Sequence, residues 1–301
     1  MVNCGIIIPE GFLEDEKRDG YIIYKSKKKL WAILIDLLYQ LDIVCKKNNL
    51  QYYVDSGTLL GTVREKGFIP WDDDIDVVMF REDYNQLIRN CYKEFKHPYF
   101  LQSAYTDDKY LRTHAQLRNS MTTAMLPNEA KIVKFNQGIF LDIFPLDYLP
   151  EKENELRKKF RKLDHYRNLF RDRMYGDRTL STVKKISKSI IRSYVFRKGD
   201  VSAFLQFEKL CAEPAGTCID KVSYYYDLDM YRRLSADYFG EPKLLDFEFI
   251  KVPVPQKYDK VLESYYGCDY MIPKQLPSNH QAFGNLIIDV ERPYVEIIKE
   301  I

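Results

Sequence analysis

The segment Ser56-Gly-Thr-Leu-Leu-Gly-Thr-Val-Arg-Glu-Lys-Gly-Phe-Ile-Pro-Trp-Asp-Asp-Asp-Ile-Asp-Val-Val-Met79 sets a small-residue turn, one short helix and a packed group of acids in succession. Asp72, Asp73, Asp74 and Asp76 fall within five positions. Carboxylates that crowded repel one another when ionised, and a bound polyvalent cation is the most direct way to keep them charged. If the chain enters a strand at Asp74, as Ile75, Val77, Val78 and Met79 predict, side chains alternate between faces. Asp72, Asp74 and Asp76 then point one way, and Asp73 and Ile75 the other. All-oxygen ligation by two or three carboxylates suits Mg²⁺ or Mn²⁺, which leave positions open for water and substrate phosphate. The plain alternatives are a solvated acidic turn or a stabilising Ca²⁺ loop, and the spacing of an EF-hand is absent.

Upstream, Leu50-Gln-Tyr-Tyr-Val-Asp55 reads as a strand running into Ser56, Gly57 and Thr58, after which Leu59, Leu60 and Val63 take the spacing of one helix face. Gly67 is placed to close that helix, and Pro70 to prevent its return. A strand, a small-residue turn and a helix N-terminus together present backbone N–H groups where a phosphate can sit. Most Ser-Gly-Thr turns merely connect; this one gains meaning from Asp-Ile-Asp on the next strand.

These motifs closely resemble those of the LicD family, the bacterial phosphocholine transferases related to fukutin and fukutin-related protein. The resemblance rests first on Gly57-Thr-Leu-Leu-Gly-Thr-Val-Arg64 and Gly67-Phe-Ile-Pro-Trp-Asp-Asp-Asp-Ile-Asp76. It extends to Arg81-Glu-Asp-Tyr84, Leu117-Arg-Asn-Ser-Met-Thr-Thr123, Gly138-Ile-Phe-Leu-Asp-Ile-Phe-Pro-Leu-Asp147, Phe249-Ile-Lys-Val-Pro-Val-Pro255 and Tyr265-Tyr-Gly-Cys-Asp-Tyr-Met271. It covers roughly residues 28 to 150 and 240 to 283. The family is similar to the polymerase-beta-type nucleotidyltransferases, whose signature is a Gly-Ser-type turn, a helix and an Asp-x-Asp strand.

The resemblance implies transfer of a phosphoalcohol, such as phosphocholine, from a CDP-activated donor to a hydroxyl of a cell-surface glycan (lipopolysaccharide or teichoic acid), with release of CMP. Within it, Asp72, Asp74 and Asp76 hold Mg²⁺ or Mn²⁺, while Ser56, Gly57 and Thr58 cradle phosphate. Arg64 and Arg118 are candidates for bidentate phosphate contacts, or else ordinary structural arginines. Asp142, set among Phe140, Leu141, Ile143 and Phe144, is costly to bury without a partner. It reads as a third carboxylate that ligates metal or takes the proton of the attacking hydroxyl, or else as a strand-end acid facing water. Asp147, beyond Pro145, reads as a turn or helix-capping acid, and His280 as a lone surface histidine. Two other classes stay open: a nucleotidyltransferase moving a nucleotide from an NTP, and a non-catalytic membrane-surface scaffold.

The predicted architecture is α/β: a nucleotidyltransferase-like mixed sheet flanked by helices, with a basic helical insertion. Residues 1–150 form the catalytic core, 151–215 the insertion, and 216–301 a C-terminal part packing back on the core. Helices are expected at 27–48, 82–95 and 256–266, and strands at 115–118 and 139–143. The stretch Leu30 to Cys45 is apolar, but it contains Asp36 and Asp42 and is shorter than the ~20 residues of a membrane span, so it reads as a core helix.

Residues 157 to 198 contain fifteen Lys or Arg against three Asp, a net +12 in a chain whose total is +2. Val183, Ile186, Ile190 and Tyr194 share one helical face, and Lys184, Lys185, Lys188 and Arg192 another. Such a helix suits an anionic bilayer surface or a solvated flank of the core. No nucleic-acid module is visible, so nucleic acid is not expected as a partner. Cys4, Cys45, Cys91, Cys211, Cys218 and Cys268 show no CxxC pair and read as reduced thiols. With no signal-peptide pattern at the N-terminus, the expected location is cytoplasmic, with peripheral contact at the inner membrane face.

Overall fold

The computed structural model describes residues 4–127, 129–176, 191–213, 220–224, 233–274 and 286–301. The helix expected around Val183 to Tyr194 lies outside the described residues up to position 190, as do Cys218 and His280.

A two-stranded hairpin, β1 (Glu16–Arg18) and β2 (Tyr21–Ile23), leads into helix α1 (Lys25–Lys47). Leu30, Leu34, Leu37, Leu38, Leu41 and Cys45 of α1 are buried, as their spacing requires. Each such leucine is worth about 1.5–3 kcal/mol of burial, which makes α1 a core helix. Strand β3 (Tyr53–Val54) follows, then α2 (Ser56–Arg64), β4 (Asp76–Phe80) and α3 (Arg81–Gln86). The strand expected over 50–55 is shorter because Leu50 N–H is spent on the Cys45 carbonyl at the end of α1, at 2.9 Å. The helix expected over 82–95 is present in three pieces, α3 continuing as a π turn over Leu87–Cys91 and a 3-10 turn over Tyr92–Glu94. Helix α2 stops at Arg64, and the left-handed residue beyond it is Lys66 rather than Gly67.

Strands β5 (Tyr99–Gln102), β6 (Ala115–Asn119), β7 (Thr123–Met125) and β8 (Ile139–Tyr148) come next. Helices α4 (Glu153–Tyr175) and α5 (Asp200–Ala212) follow, then strands β9 (Lys221–Ser223) and β10 (Leu234–Ser235). The chain continues through the hairpin β11 (Lys243–Phe247) and β12 (Ile250–Val254), helix α6 (Tyr258–Tyr266), strand β13 (Ile287–Asp289) and helix α7 (Tyr294–Glu300).

The central sheet is mixed. β8 pairs in parallel with β4, β4 is antiparallel to β3, and the other edge of β8 is shared between β6 and β9, both antiparallel. β8 is therefore twice as long as expected and runs straight through Pro145. Proline has no N–H to give, but β6 pairs with β8 only up to Ile143 and β9 only from Asp147, so neither asks for one at 145. Asp147 is accordingly not a turn or capping acid. It is a buried strand residue whose carboxylate accepts two bonds from the Arg81 guanidinium, at 2.5 and 2.8 Å.

Helices α4 and α5 carry an apolar cluster of their own, including Leu156, Leu163, Phe170, Phe204 and Phe207. A buried polar network joins them to the sheet: Glu208 of α5 accepts from Arg81 at 3.4 Å and from Arg89 at 2.6 Å. No helix among the described residues is long and apolar enough to cross a membrane.

Candidate active site

The acidic residues meet because of strand register. β3 and β4 pair Val54 with Val77, so the next residues along, Asp55 and Asp76, face each other; Asp55 N–H donates to the Asp76 carbonyl at 3.0 Å. β4 and β8 pair Asp76 with Asp142, and β8 and β6 pair Asp142 with Gln116. Directly opposed residues of paired strands share a sheet face. Asp55, Asp76, Asp142 and Gln116 thus form one row across four chain segments distant in sequence.

Above this row sits the loop between α2 and β4. Strand geometry begins only at Asp76, so the alternation expected over positions 72 to 75 does not operate there. Asp73 joins Asp72 and Asp74 instead: one carboxylate oxygen from each lies within 4.8 Å of the others. The loop is clamped from several sides. Trp31 Nε1 donates to the Asp72 carbonyl at 3.0 Å, and the Trp31 ring stacks on Phe68 with centroids 4.6 Å apart. Phe68 N–H donates to the Glu248 carboxylate at 3.0 Å, and Arg18 bridges Glu248 and the Phe68 carbonyl.

Ser56 takes φ of 50°, a left-handed conformation that costs a non-glycine residue about 1 kcal/mol and recurs where backbone is bent for function. Gly57 follows because a Cβ there would lie 2.5 Å from Asp72 Oδ2. Thr58 is buried, and its hydroxyl accepts the Asp76 N–H at 3.0 Å, locking the start of β4 to α2. The first amides of α2 have no intrahelical acceptors, as at any helix N-terminus. They open beside the acidic row.

Charge crowding is visible in the titration of these groups. Burial raises the Asp76 carboxyl well above its ordinary value, reinforced by Asp74, Asp142, Asp55 and Asp72. Burial likewise raises Asp72, with repulsion from Asp74 and Asp73 added and Lys27 opposing. Lys27, one turn into α1, is a cation facing this loop; burial lowers its ammonium pKa while Asp73, Asp72 and Asp74 resist. Asp142 differs. Burial pushes it up, but His114 and a hydrogen bond from Gln116 outweigh that and bring it below the ordinary carboxylate range. Burial in turn holds the His114 imidazole down, against the pull of Asp142.

The two candidate arginines are both engaged by protein partners. Arg64 is tied to Glu65 at 2.6 Å and to the Tyr270 carbonyl at 3.2 Å. Arg118 is buried in β6 and bonds Gln102, Gln116 and the Gly138 carbonyl. Burial lowers its pKa to about 10, so it stays charged at neutral pH.

The site also contains residues that the sequence reading passed over. Tyr265, from the end of α6, donates to both Asp55 oxygens at 3.3 Å, and Tyr224 lies 3.5 Å from the Ser56 hydroxyl. Asp55 was legible in principle, as the acid directly before Ser-Gly-Thr. His114, Gln116 and Tyr224 had no local signal, and Tyr265 opens the segment Tyr265 to Met271 quoted above without a site role of its own. A narrow crevice of about 20 Å³ lies beside Asp73 and Asp74, walled by Leu30, Leu34, Ile139 and Phe140.

The donor set fits a small hard cation. Octahedral Mg²⁺ with bonds near 2.1 Å spaces its oxygens about 3 Å apart when adjacent and about 4.2 Å when opposite. The three loop carboxylates, within 4.8 Å of one another, need little movement to reach that spacing.

Residues 49–165 match the sequence model of the family described as LicD/FKTN/FKRP, nucleotidyltransferase domain. The chain is 27% identical over 244 residues to the lipopolysaccharide cholinephosphotransferase LicD of Haemophilus influenzae, covering 79% of this chain and 89% of that protein. It is 33% identical over 139 residues to an uncharacterized protein of Rickettsia prowazekii, 46% of this chain and 47% of that one. An uncharacterized protein of Caenorhabditis elegans shares 37% identity over 93 residues, 31% of this chain and 22% of that one. The matched span of 49–165 contains the turn, the acidic loop and the strands that carry Asp76 and Asp142, so the likeness to the LicD/FKTN/FKRP nucleotidyltransferase domain falls on the residues that build this site.

Proposed function

We propose that this protein is a metal-dependent phosphotransferase that moves a phosphoalcohol, phosphocholine first among them, from a CDP-linked donor to a hydroxyl of a cell-surface glycan. The observation that carries the reading is the acidic row Asp55, Asp76 and Asp142 beneath the loop carboxylates Asp72 and Asp74, at the N-terminus of α2. Asp72, Asp74, Asp76 and Asp142 would hold Mg²⁺ or Mn²⁺. When bound, such an ion neutralises the diphosphate and the charge that develops on the leaving CMP. The amides of Ser56, Gly57 and Thr58 would bind phosphate oxygens, and the left-handed Ser56 turns that backbone toward them. Asp142, held below its ordinary pKa, would stay ionised as a ligand or accept the acceptor hydroxyl's proton.

Among the possible alcohols, the named activity of the Haemophilus relative favours choline. For the acceptor, the named activity of the Haemophilus relative supports lipopolysaccharide, a lipid-linked glycan. Arg161, Lys162, His165 and Lys209 line a groove between α4 and α5 that would meet an anionic membrane at its inner face.

Incubation with CDP-choline, CDP-ethanolamine, CDP-glycerol or CDP-ribitol and Mg²⁺ should release CMP only when acceptor glycan is present. Asp74→Asn and Asp76→Asn should each abolish release while melting like the parent. Pyrophosphate from an NTP in place of CMP would make the protein a nucleotidyltransferase, and full activity in either variant would remove the metal assignment.

A further inference from the structure

Arg118 reads from sequence as a phosphate ligand or a structural arginine, and in the fold its guanidinium is spent on partners inside the sheet. Nε donates to Gln102 Oε1, Nη1 to the Gly138 carbonyl and Nη2 to Gln116 Oε1, with the group lying 4.6 Å over the Phe140 ring. Gln102 is itself held by Asp107 at 2.7 Å and by the Asn136 carbonyl at 3.0 Å. The arginine therefore has one available pose.

That pose orients Gln116. A guanidinium can only donate and a carboxylate can only accept. With its carbonyl oxygen claimed by Arg118, Gln116 must turn its NH₂ to the other side, where it donates to Asp142 Oδ1 at 2.7 Å. His114, immediately before β6 and two residues from Gln116, reaches the same oxygen, Nε2 to Oδ1 at 3.1 Å, with its ring against Phe144 at 4.8 Å. Both bonds fall on Oδ1, and Oδ2 receives no hydrogen bond among the described residues. Gln102, Gln116, His114 and Arg118 are all at most 3% exposed, so water does not compete for these donors.

We propose that Arg118, acting through Gln116, and His114 are positioning residues that anchor Asp142 by Oδ1 and leave Oδ2 as its working, metal-ligating oxygen. The inference rests on the reading of Asp142 as part of a metal site. Outer hydrogen bonds of this kind orient a carboxylate ligand, and their loss typically weakens metal binding or activity by about 10- to 100-fold. A carboxylate with no anchor would sample other rotamers and the neighbouring repulsion of Asp76.

The test compares Gln116→Met, His114→Phe, Arg118→Lys and the double variant Gln116→Met/Arg118→Lys, with Asp76→Asn as the control for the metal site. Mn²⁺ affinity is measured by titration calorimetry without donor, and kcat and KM are measured with CDP-choline. Gln116→Met and His114→Phe should each weaken Mn²⁺ binding and lower kcat by about 10- to 100-fold, with donor KM within about threefold of the parent. Arg118→Lys should do the same, and should add nothing in the Gln116→Met background, since it acts through that amide. A raised donor KM in Arg118→Lys with parental Mn²⁺ affinity would restore Arg118 to phosphate binding and overturn the proposal. So would parental Mn²⁺ affinity in Gln116→Met and His114→Phe when Asp76→Asn has lost it. Retention of Mn²⁺ by Asp76→Asn itself would instead remove the underlying metal reading. Should Gln116→Met fail to fold, as judged by its melt, His114→Phe decides alone, because it removes the second donor to Asp142 while keeping an aromatic ring on Phe144.

Discussion

Gly57→Ala isolates the relation between the α2 turn and the acidic loop. A Cβ built on Gly57 lies 2.5 Å from Asp72 Oδ2, 3.6 Å from its Cγ and 3.9 Å from Oδ1, whereas ordinary contact begins at 3.4 Å. The carboxylate oxygen must therefore retreat by about 0.9 Å. It can do so at small cost in stability, because the obstructed atom is the end of a side chain and alanine favours the helix by up to about 1 kcal/mol over glycine. Folding should change by less than about 1 kcal/mol in either direction. Chemistry should not be so tolerant, since a displacement near 1 Å in a reacting constellation costs about 100-fold in rate. The assay is acceptor-dependent CMP release from CDP-choline across a Mg²⁺ series, alongside urea unfolding of the metal-free protein. The expected outcome is parental unfolding with a rate about 100-fold lower, partly recovered at high Mg²⁺. A rate within threefold of the parent would refute the claim that the Gly57–Asp72 contact sets the site. A collapse in stability would refute the claim that the glycine is there for the carboxylate rather than for the fold.

Three further outcomes follow from the same geometry. The raised Asp76 and Asp72 carboxyls mean that the folded state binds protons more readily than the unfolded chain above the ordinary carboxylate range. Metal-free protein should therefore lose stability as pH rises through the folded pKa values, and regain it on acidification back through them. Asp76→Asn should flatten that dependence, as should saturating Mg²⁺, and an equally steep profile in the variant would contradict the assignment. Arg81→Met removes the partner of the buried Asp147 carboxylate and should cost about 3–5 kcal/mol in chemical unfolding; a loss under 1 kcal/mol would mean that the network joining α5 to the sheet is dispensable. Changing Arg161, Lys162 and Lys209 together to Gln should weaken binding to phosphatidylglycerol vesicles at low salt, with the difference vanishing near 1 M salt; equal binding at low salt would return the groove to a solvated surface.

What sequence alone determined here is local. The composition of 72–76 and the apolar run after it identify a strand entered through carboxylates, whatever that strand pairs with. The spacing of Leu30 to Cys45 defines a buried helix face, and the small residues at 56–58 a turn into a helix; each signal is contained within a few turns of chain. Where a local rule was extended past its domain it failed, as when strand alternation was carried back over positions 72 to 75, which are not in a strand and bring Asp73 into the cluster. The strand expected over 139–143 runs on through Pro145, because neither β6 nor β9 asks for an N–H at that position.

What the tertiary structure decided is register. Asp55, Asp76, Asp142 and Gln116 become one row only when β3, β4, β8 and β6 pair as they do, and a slip of one residue in any pairing would send a member to the opposite face. Burial decided the rest. Arg118 has the residue type of a phosphate ligand, but type does not say which side of the sheet surface a side chain lies on. Enclosed among Gln102, Gln116 and the Gly138 carbonyl, its guanidinium is joined to the site by the Gln116 amide it holds. Those partners lie 16 and 20 residues from it at the two ends and 2 at the nearest, and their convergence comes from long-range pairing that no window of sequence contains.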